Sequence, residues 1–285
     1  MPGISVVMAT YQGERYLPEM LDSLAAQSRL PDELVVRDDA SEDGTVEVLH
    51  EFARTAPFPV RVIAGDERVG YAQNFVAVTR ACTGDLVFFA DQDDTWRPHK
   101  LAVIEGQADT SVPQALFHDF TLVRDGREVS PSYYALLTER GLTPDVAIKG
   151  CTLAVTRPFL DLWDWPAPES RVSHDFWIAL LATAFDQRRN VPEQLIDHRL
   201  HETNASGWVP DASAREFTRE GDDAGSPALL VDLVLKPPNL PRRTTAFLEV
   251  LESVGDRVDP QAAQRLRRVL RTNRRRHRER REATS

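Results

Sequence analysis

Asp91, Asp93 and Asp94 put three carboxylates within four residues, directly after the apolar run 86–90. Acids this close raise each other's proton affinity unless a cation is shared among them, so the cluster is costly without a counter-charge. A divalent cation clamping a diphosphate is the chemistry such a group serves, and a preceding strand supplies the rigidity it needs. A solvated acidic turn capping the next helix is the other reading of the same residues.

The elements that must position this cluster follow from periodicity. Residues 1–100 alternate in the manner of βαβ units, which predicts a mostly parallel sheet. Strands are expected at 4–8, 34–36, 60–63 and 86–90. Between them, Leu17, Met20, Leu21 and Leu24 recur at helical spacing, Ser41 is placed to cap a helix bearing Val46, Leu49 and Phe52, and 71–82 reads as a third helix. The strands end in Thr10-Tyr11-Gln12, Asp38-Asp39, Asp66-Glu67 and the acid cluster. In open α/β sheets ligands bind at the carboxyl ends of strands, so these four endings are expected to share one crevice.

Beyond Lys100 the pattern loosens. Strands are expected at 116–123 and 152–155, a loop-rich passage with Tyr133 and Tyr134 at 131–144, and an apolar helix at 173–185. The Asp-, Glu-, Gly- and Ser-rich stretch 210–227 reads as a linker or mobile loop. Helices are expected at 228–236 and 244–254, followed by one capped by Asp259 with Pro260 in its first turn.

With 285 residues, 42% of them hydrophobic, the chain can bury a sizeable core, enough for one large domain with an appendage or for two modest domains. No apolar run approaches the roughly 18 residues of a spanning helix, and the N-terminus has no basic leader, so a soluble, cytoplasmic protein is expected. Cys82 and Cys151 lack metal or redox spacing and read as reduced packing residues. The net charge of −10 is unevenly spread: residues 265–285 hold ten Arg against Glu279 and Glu282, a local +8 that leaves −18 for the rest. The acidic body disfavours nonspecific nucleic-acid binding, while the tail suits phosphate on nucleic acid or anionic lipid, or is a fraying, solvated helix end.

Five stretches in order carry a resemblance: 6–13 (VVMATYQG), 35–45 (VVRDDASEDGT), 69–75 (VGYAQNF), 90–101 (ADQDDTWRPHKL), and Gly150-Cys151-Thr152 with His174-Asp175-Phe176-Trp177 and His198-Arg199-Leu200-His201, then Asn204 and Gly207. Over roughly 4–208 the chain resembles the family 2 inverting glycosyltransferases of the GT-A fold, and is most similar to their bacterial rhamnosyltransferase-type branch. The resemblance implies an α/β, Rossmann-like, mostly parallel sheet flanked by helices. It implies a domain at 1–208, with a nucleotide-sugar half (1–100) and an acceptor half (101–208); composition and periodicity then place a linker or mobile loop at 209–226 and a helical extension with an Arg-rich tail at 227–285.

It also implies a dTDP- or UDP-sugar donor, Mg²⁺ or Mn²⁺, and a glycan, lipid-linked or small-molecule acceptor. Thr10, Tyr11, Asp38, Asp39, Asn74, Asp91 and Arg199 would bind the nucleotide sugar, with Tyr11 stacked on the base and an Asp38 or Asp39 carboxylate on its imide N–H. Asp93 and His201, with Asp91, would hold the metal; Asp94 would ligate or cap a helix. Asp175 would be the general base. Each has a plainer reading: the 38–41 run as a capping turn, His198-Arg199 as a solvated strand face, Asp175 as a helix-dipole partner. His174 is read as shaping the acceptor pocket or capping, and Trp177 as core rather than sugar platform. Two departures stand out: Gln12 replaces a common Asn, and Asp197-His198-Arg199 replaces a frequent Tyr-Arg pair, which removes an expected aromatic wall. Two other readings remain: a sugar-phosphate nucleotidyltransferase, for which 8–17 offers only one Gly and one Arg, and a nucleic-acid or membrane-docking module built on the tail.

Overall fold

The computed structural model describes residues 1–202 and 240–284. In chain order the first half runs β1 (Ile4–Thr10), α1 (Leu17–Ala25), β2 (Glu33–Asp38), α2 (Thr45–Thr55), β3 (Val60–Ala64), α3 (Tyr71–Ala81) and β4 (Leu86–Ala90). The second runs β5 (Thr95–Trp96), α4 (Lys100–Glu105), β6 (Ala115–Arg124), β7 (Arg127–Ser130), α5 (Tyr133–Thr138), β8 (Leu153–Thr156), α6 (Arg157–Leu162), α7 (His174–Ala184) and β9 (Arg188–Arg199). One sheet runs through both halves in the order β3-β2-β1-β4-β8-β6-β9-β5, with β7 paired to β6. The β3-β2-β1-β4 part is wholly parallel, β8 joins it antiparallel, and β9 returns parallel to β6.

Registry explains why the strand endings meet. Thr10 pairs with Asp38, Asp38 with Ala64, and Met8 with Ala90, so Tyr11, Asp39 and Asp91 emerge at one edge. β4 is buried throughout, as its unbroken apolar run requires of a strand covered on both faces.

Two expectations change, and one strand is unexpected. Ser41 caps nothing: α2 starts at Thr45 after Gly44, and the Ser41 side chain serves the strand ends instead. The passage 131–144 contains α5, whose N-terminal Ala135 N–H donates to the Ser132 hydroxyl, and both Tyr133 and Tyr134 are buried. β9 carries Pro192 and alternating charge that hide a strand, yet Val191, Leu195, Ile196 and His198 are buried between β6 and β5.

The described part of the extension is α8 (Leu240–Ser253) and α9 (Pro260–Thr284). Phe247 of α8 stacks on Trp177 at 4.4 Å and meets Phe176 edge-on at 5.7 Å, which makes Trp177 a core residue. Asp259 accepts from the N–H groups of Gln261 and Ala262, both at 3.0 Å, and caps α9. The 209–226 linker, the 228–236 helix, Asn204 and Gly207 lie outside the described residues. Among those described, no helix is long and apolar enough to cross a membrane.

Candidate active site

At the end of β2 the Asp38 carboxylate is buried. Oδ1 accepts from the hydroxyls of Thr10 (2.8 Å) and Ser41 (2.7 Å), and Oδ2 from the Ser41 N–H (2.7 Å). Asp39 accepts from the N–H groups of Val69 and Gly70, both at 2.8 Å, and from Arg37 at 3.2 Å. The Asn74 amide takes a hydrogen bond from Arg37 (2.7 Å) and donates to the Arg37 carbonyl (2.9 Å). Thr10, Asp38 and Asn74 therefore build the crevice wall with side chains already engaged, while Asp39 ties the 69–70 turn to it. Gln12 and Ala40 close these strand ends with positive φ (50° and 61°), a conformation non-glycine residues hold only when neighbours over-determine it. Gln12 is so held: its side-chain oxygen accepts from the N–H groups of Glu42 (3.2 Å) and Asp43 (3.1 Å).

Tyr11 is fixed by a residue the sequence reading passed over. Gln92, inside the acid cluster, accepts from the Tyr11 N–H and donates to its carbonyl, both at 2.9 Å. The ring itself is only partly buried and carries the Arg68 guanidinium at 3.9 Å from its centroid.

Carboxylate oxygens of Asp91, Asp93 and Asp94 lie within 4.8 Å of one another. Burial, then the charges of Asp93 and Asp94, push Asp91 up to about 7, and burial with the Asp94 charge raises Asp93. Asp94 is opposed by its own burial, yet His198 beside it holds it below the usual carboxylate range. Its Oδ1 lies 2.8 Å from His198 Nδ1 and accepts from the Arg199 N–H at 3.1 Å, so Asp94 caps no helix. The Cys151 thiol also acts on Asp94, and the buried Asp94 Oδ2 accepts from no N–H or O–H group among the described residues. Of the buried amines, Lys100 donates to the Cys151 carbonyl at 2.8 Å and burial lowers it to about 7, while the charge of Lys149 acts on Asp91. A set of crowded, hard oxygen donors that repel one another, one of them with no N–H or O–H donor, fits a divalent cation.

His201 adds to this set, with Nε2 2.8 Å from Asp93 Oδ2. Arg199 donates Nε to the Asp93 carbonyl (3.1 Å), and its fork pairs with Glu19 at 2.6 Å, so here it faces a carboxylate. Tyr16 stacks on His201 at 4.9 Å and lies under Arg199 at 5.0 Å. It supplies, from the start of α1, the aromatic surface that the 197–199 run lacks.

Asp175 lies in the first turn of α7 and accepts from the Phe176 N–H at 2.8 Å. His174 neither lines an open pocket nor caps: it is buried between Phe75 (4.1 Å) and Phe89 (5.3 Å), and burial pushes it down to about 4. Tyr71, half exposed, hydrogen-bonds Ser173, and the charges of Asp175, Arg243 and Asp91 all act on its phenol. The acid cluster and Asp175 thus both act on Tyr71. Arg243 comes from α8 and donates Nε to the Arg171 carbonyl at 3.2 Å. Nothing in a lone Tyr or Arg marks either residue in the sequence; the fold brings them in.

A family description, glycosyl transferase family 2, matches residues 5–140. Over these 136 residues, a little under half of the chain, the sequence is similar to family 2 glycosyl transferases. Among curated relatives, an uncharacterized glycosyltransferase of Nostoc sp. is 34% identical over 44% of this chain and 38% of its own length. TuaG of Bacillus subtilis, named for teichuronic acid biosynthesis, is 26% identical over 70% and 79%. The dTDP-rhamnosyl transferase RfbG of Shigella flexneri is 31% identical over 33% and 34%. The chain thus spans little more than a third of the Nostoc and Shigella proteins it matches. Two solved structures share the fold. TarS 1–349 of S. aureus with UDP-GlcNAc has a TM-score of 0.59 at 19% identity, covering 97% of this chain and 92% of that one. The mannosyltransferase PcManGT of Pyrobaculum calidifontis with GDP-Man and Mn²⁺ has 0.59 at 20% identity, covering 93% and 78%. The architecture is the GT-A fold.

Proposed function

We propose that this chain transfers a sugar, with inversion, from a nucleoside-diphosphate donor to an acceptor hydroxyl, and that it uses Mg²⁺ or Mn²⁺. The observation that carries the reading is the carboxylate cluster of Asp91, Asp93 and Asp94 at the end of β4, with His201 2.8 Å from Asp93 and with the charges of Asp91 and Asp175 both acting on Tyr71. Tyr11 offers a ring face to the base, and the second lone pairs of Asp39 are the acceptors for an imide N–H of uracil or thymine. Asp91, Asp93 and His201, with Oδ2 of Asp94, are the groups that would hold the cation. Bound there, the cation would neutralise charge gathering on the departing nucleoside diphosphate.

Asp175 takes the proton of the acceptor hydroxyl as that oxygen attacks the anomeric carbon from the face opposite the diphosphate. Its carboxylate lies in the first turn of α7, where one oxygen already accepts from the Phe176 N–H at 2.8 Å. The ligands named for TarS and PcManGT support a nucleotide-sugar donor, and RfbG favours dTDP-rhamnose among candidates. TuaG favours an acceptor in polysaccharide biosynthesis.

The test is a donor screen of dTDP-, UDP- and GDP-sugars with and without Mn²⁺, followed by release of nucleoside diphosphate and the anomeric configuration of the product. Inverted product from one donor supports the reading; retained configuration overturns the role of Asp175.

A further inference from the structure

The last helix, α9, is a 25-residue rod of about 37 Å with two unlike faces. Ala262, Ala263, Leu266, Leu270 and Asn273 are buried against the body, and Arg267 donates to the Leu251 carbonyl at 2.7 Å, which fastens α9 to α8. On the opposite face Gln264, Arg268, Arg271 and Arg275 recur at spacings of four, three and four, so they form one stripe. With Arg267 and Thr272 they line an open hollow of about 400 Å³ that contains no carboxylate. Arg265 pairs with Asp259 at 3.7 Å, whereas Arg268, Arg271 and Arg274 have no ion-pair partner among the described residues. A fold that carries −18 over its other residues has gathered its positive charge here.

We propose that this arginine stripe is a docking face for an anionic lipid bilayer, holding the protein at a membrane surface without inserting into it. Residues 260–284 contain no Phe, Tyr or Trp, so the stripe has no stacking platform for unpaired bases and no apolar wedge for the acyl region. A helix charged along one side over 264–275 can lay that side on a plane, and the acidic remainder of the chain opposes wrapping by a polyanion. The attraction is electrostatic and falls with salt over the distance of a Debye length.

The experiment is co-sedimentation of the full chain with phosphatidylcholine vesicles, alone or with a phosphatidylglycerol fraction, at low and high salt. Binding should require phosphatidylglycerol and disappear at high salt. The double variant Arg268→Gln, Arg271→Gln should bind about twenty-five-fold more weakly, at about fivefold for each charge near the surface, with its circular dichroism and thermal midpoint unchanged. Binding by that variant equal to the parent, or no binding of the parent to anionic vesicles, overturns the proposal. So does tighter capture of the parent by a DNA or RNA duplex than by the vesicles.

Discussion

Nε2 of His201 lies 2.8 Å from Oδ2 of Asp93, so the end of β9 closes on the end of β4 across more than a hundred residues. The contact makes β9 part of the acidic site rather than a solvated edge. His201→Ala should weaken Mn²⁺ about 10–100-fold, the range seen when a group supporting a ligand is removed, and Asp93→Ala should weaken it further. Titration calorimetry with Mn²⁺ alone checks both. Unchanged affinity in both variants would remove the cation from this cluster.

The same cluster fixes a pH dependence. Asp91 sits at about 7, above its unfolded value, so without metal it holds a proton below that point and its ionisation destabilises the fold as pH rises towards 7. A cation must displace that proton. Apparent Mn²⁺ affinity should therefore rise with pH up to about 7, by at most about tenfold per unit, and level off above it. Calorimetry in two buffers of different ionisation heat should show proton release below 7 that fades above.

Gly150 is the close neighbour of the proposed base. A Cβ there would lie 2.7 Å from Nε2 of His174 and 3.9 Å from Cβ of Asp175, and His174 cannot retreat because Phe75 and Phe89 flank it. Gly150→Ala should lower stability by about 1–3 kcal/mol and reduce kcat more than it raises donor KM. Urea unfolding and steady-state kinetics measure the two effects.

His174 itself should leave a signature in acid. Its folded value of about 4 lies below the unfolded imidazole at about 6.5, so the unfolded chain takes the proton first. The stability contributed by the neutral ring is complete above about 6.5 and is lost as pH falls to about 4, roughly 3 kcal/mol in all. His174→Phe should flatten that part of the profile, read from urea midpoints across the window.

The parts of the fold written in local pattern were legible. β4 has an unbroken apolar run and α7 an apolar helical stretch, and both begin and end within a residue or two of where the sequence puts them. The carboxylates were legible because residue type and spacing alone select them. What escaped is tertiary. β9 hides because its neighbours β5 and β6, not its own alternation, decide which residues are buried. The Gln92 clamp on Tyr11, the Tyr16 ring against His201 and Arg243 beside Tyr71 join distant segments, and no local signal marks such pairs. His174 was misread because a histidine beside a candidate base suggests chemistry, whereas its setting is aromatic and dry.

The central claim is that one crevice gathers a cation-assisted leaving group and a carboxylate base. The most direct measurement is single-turnover transfer from the donor found in the screen, with Mn²⁺, by the parent chain and by Asp175→Asn. Loss of transfer by about 10²–10⁴-fold, with donor and Mn²⁺ binding retained, is the predicted result. Transfer at the parent rate in Asp175→Asn would contradict the account.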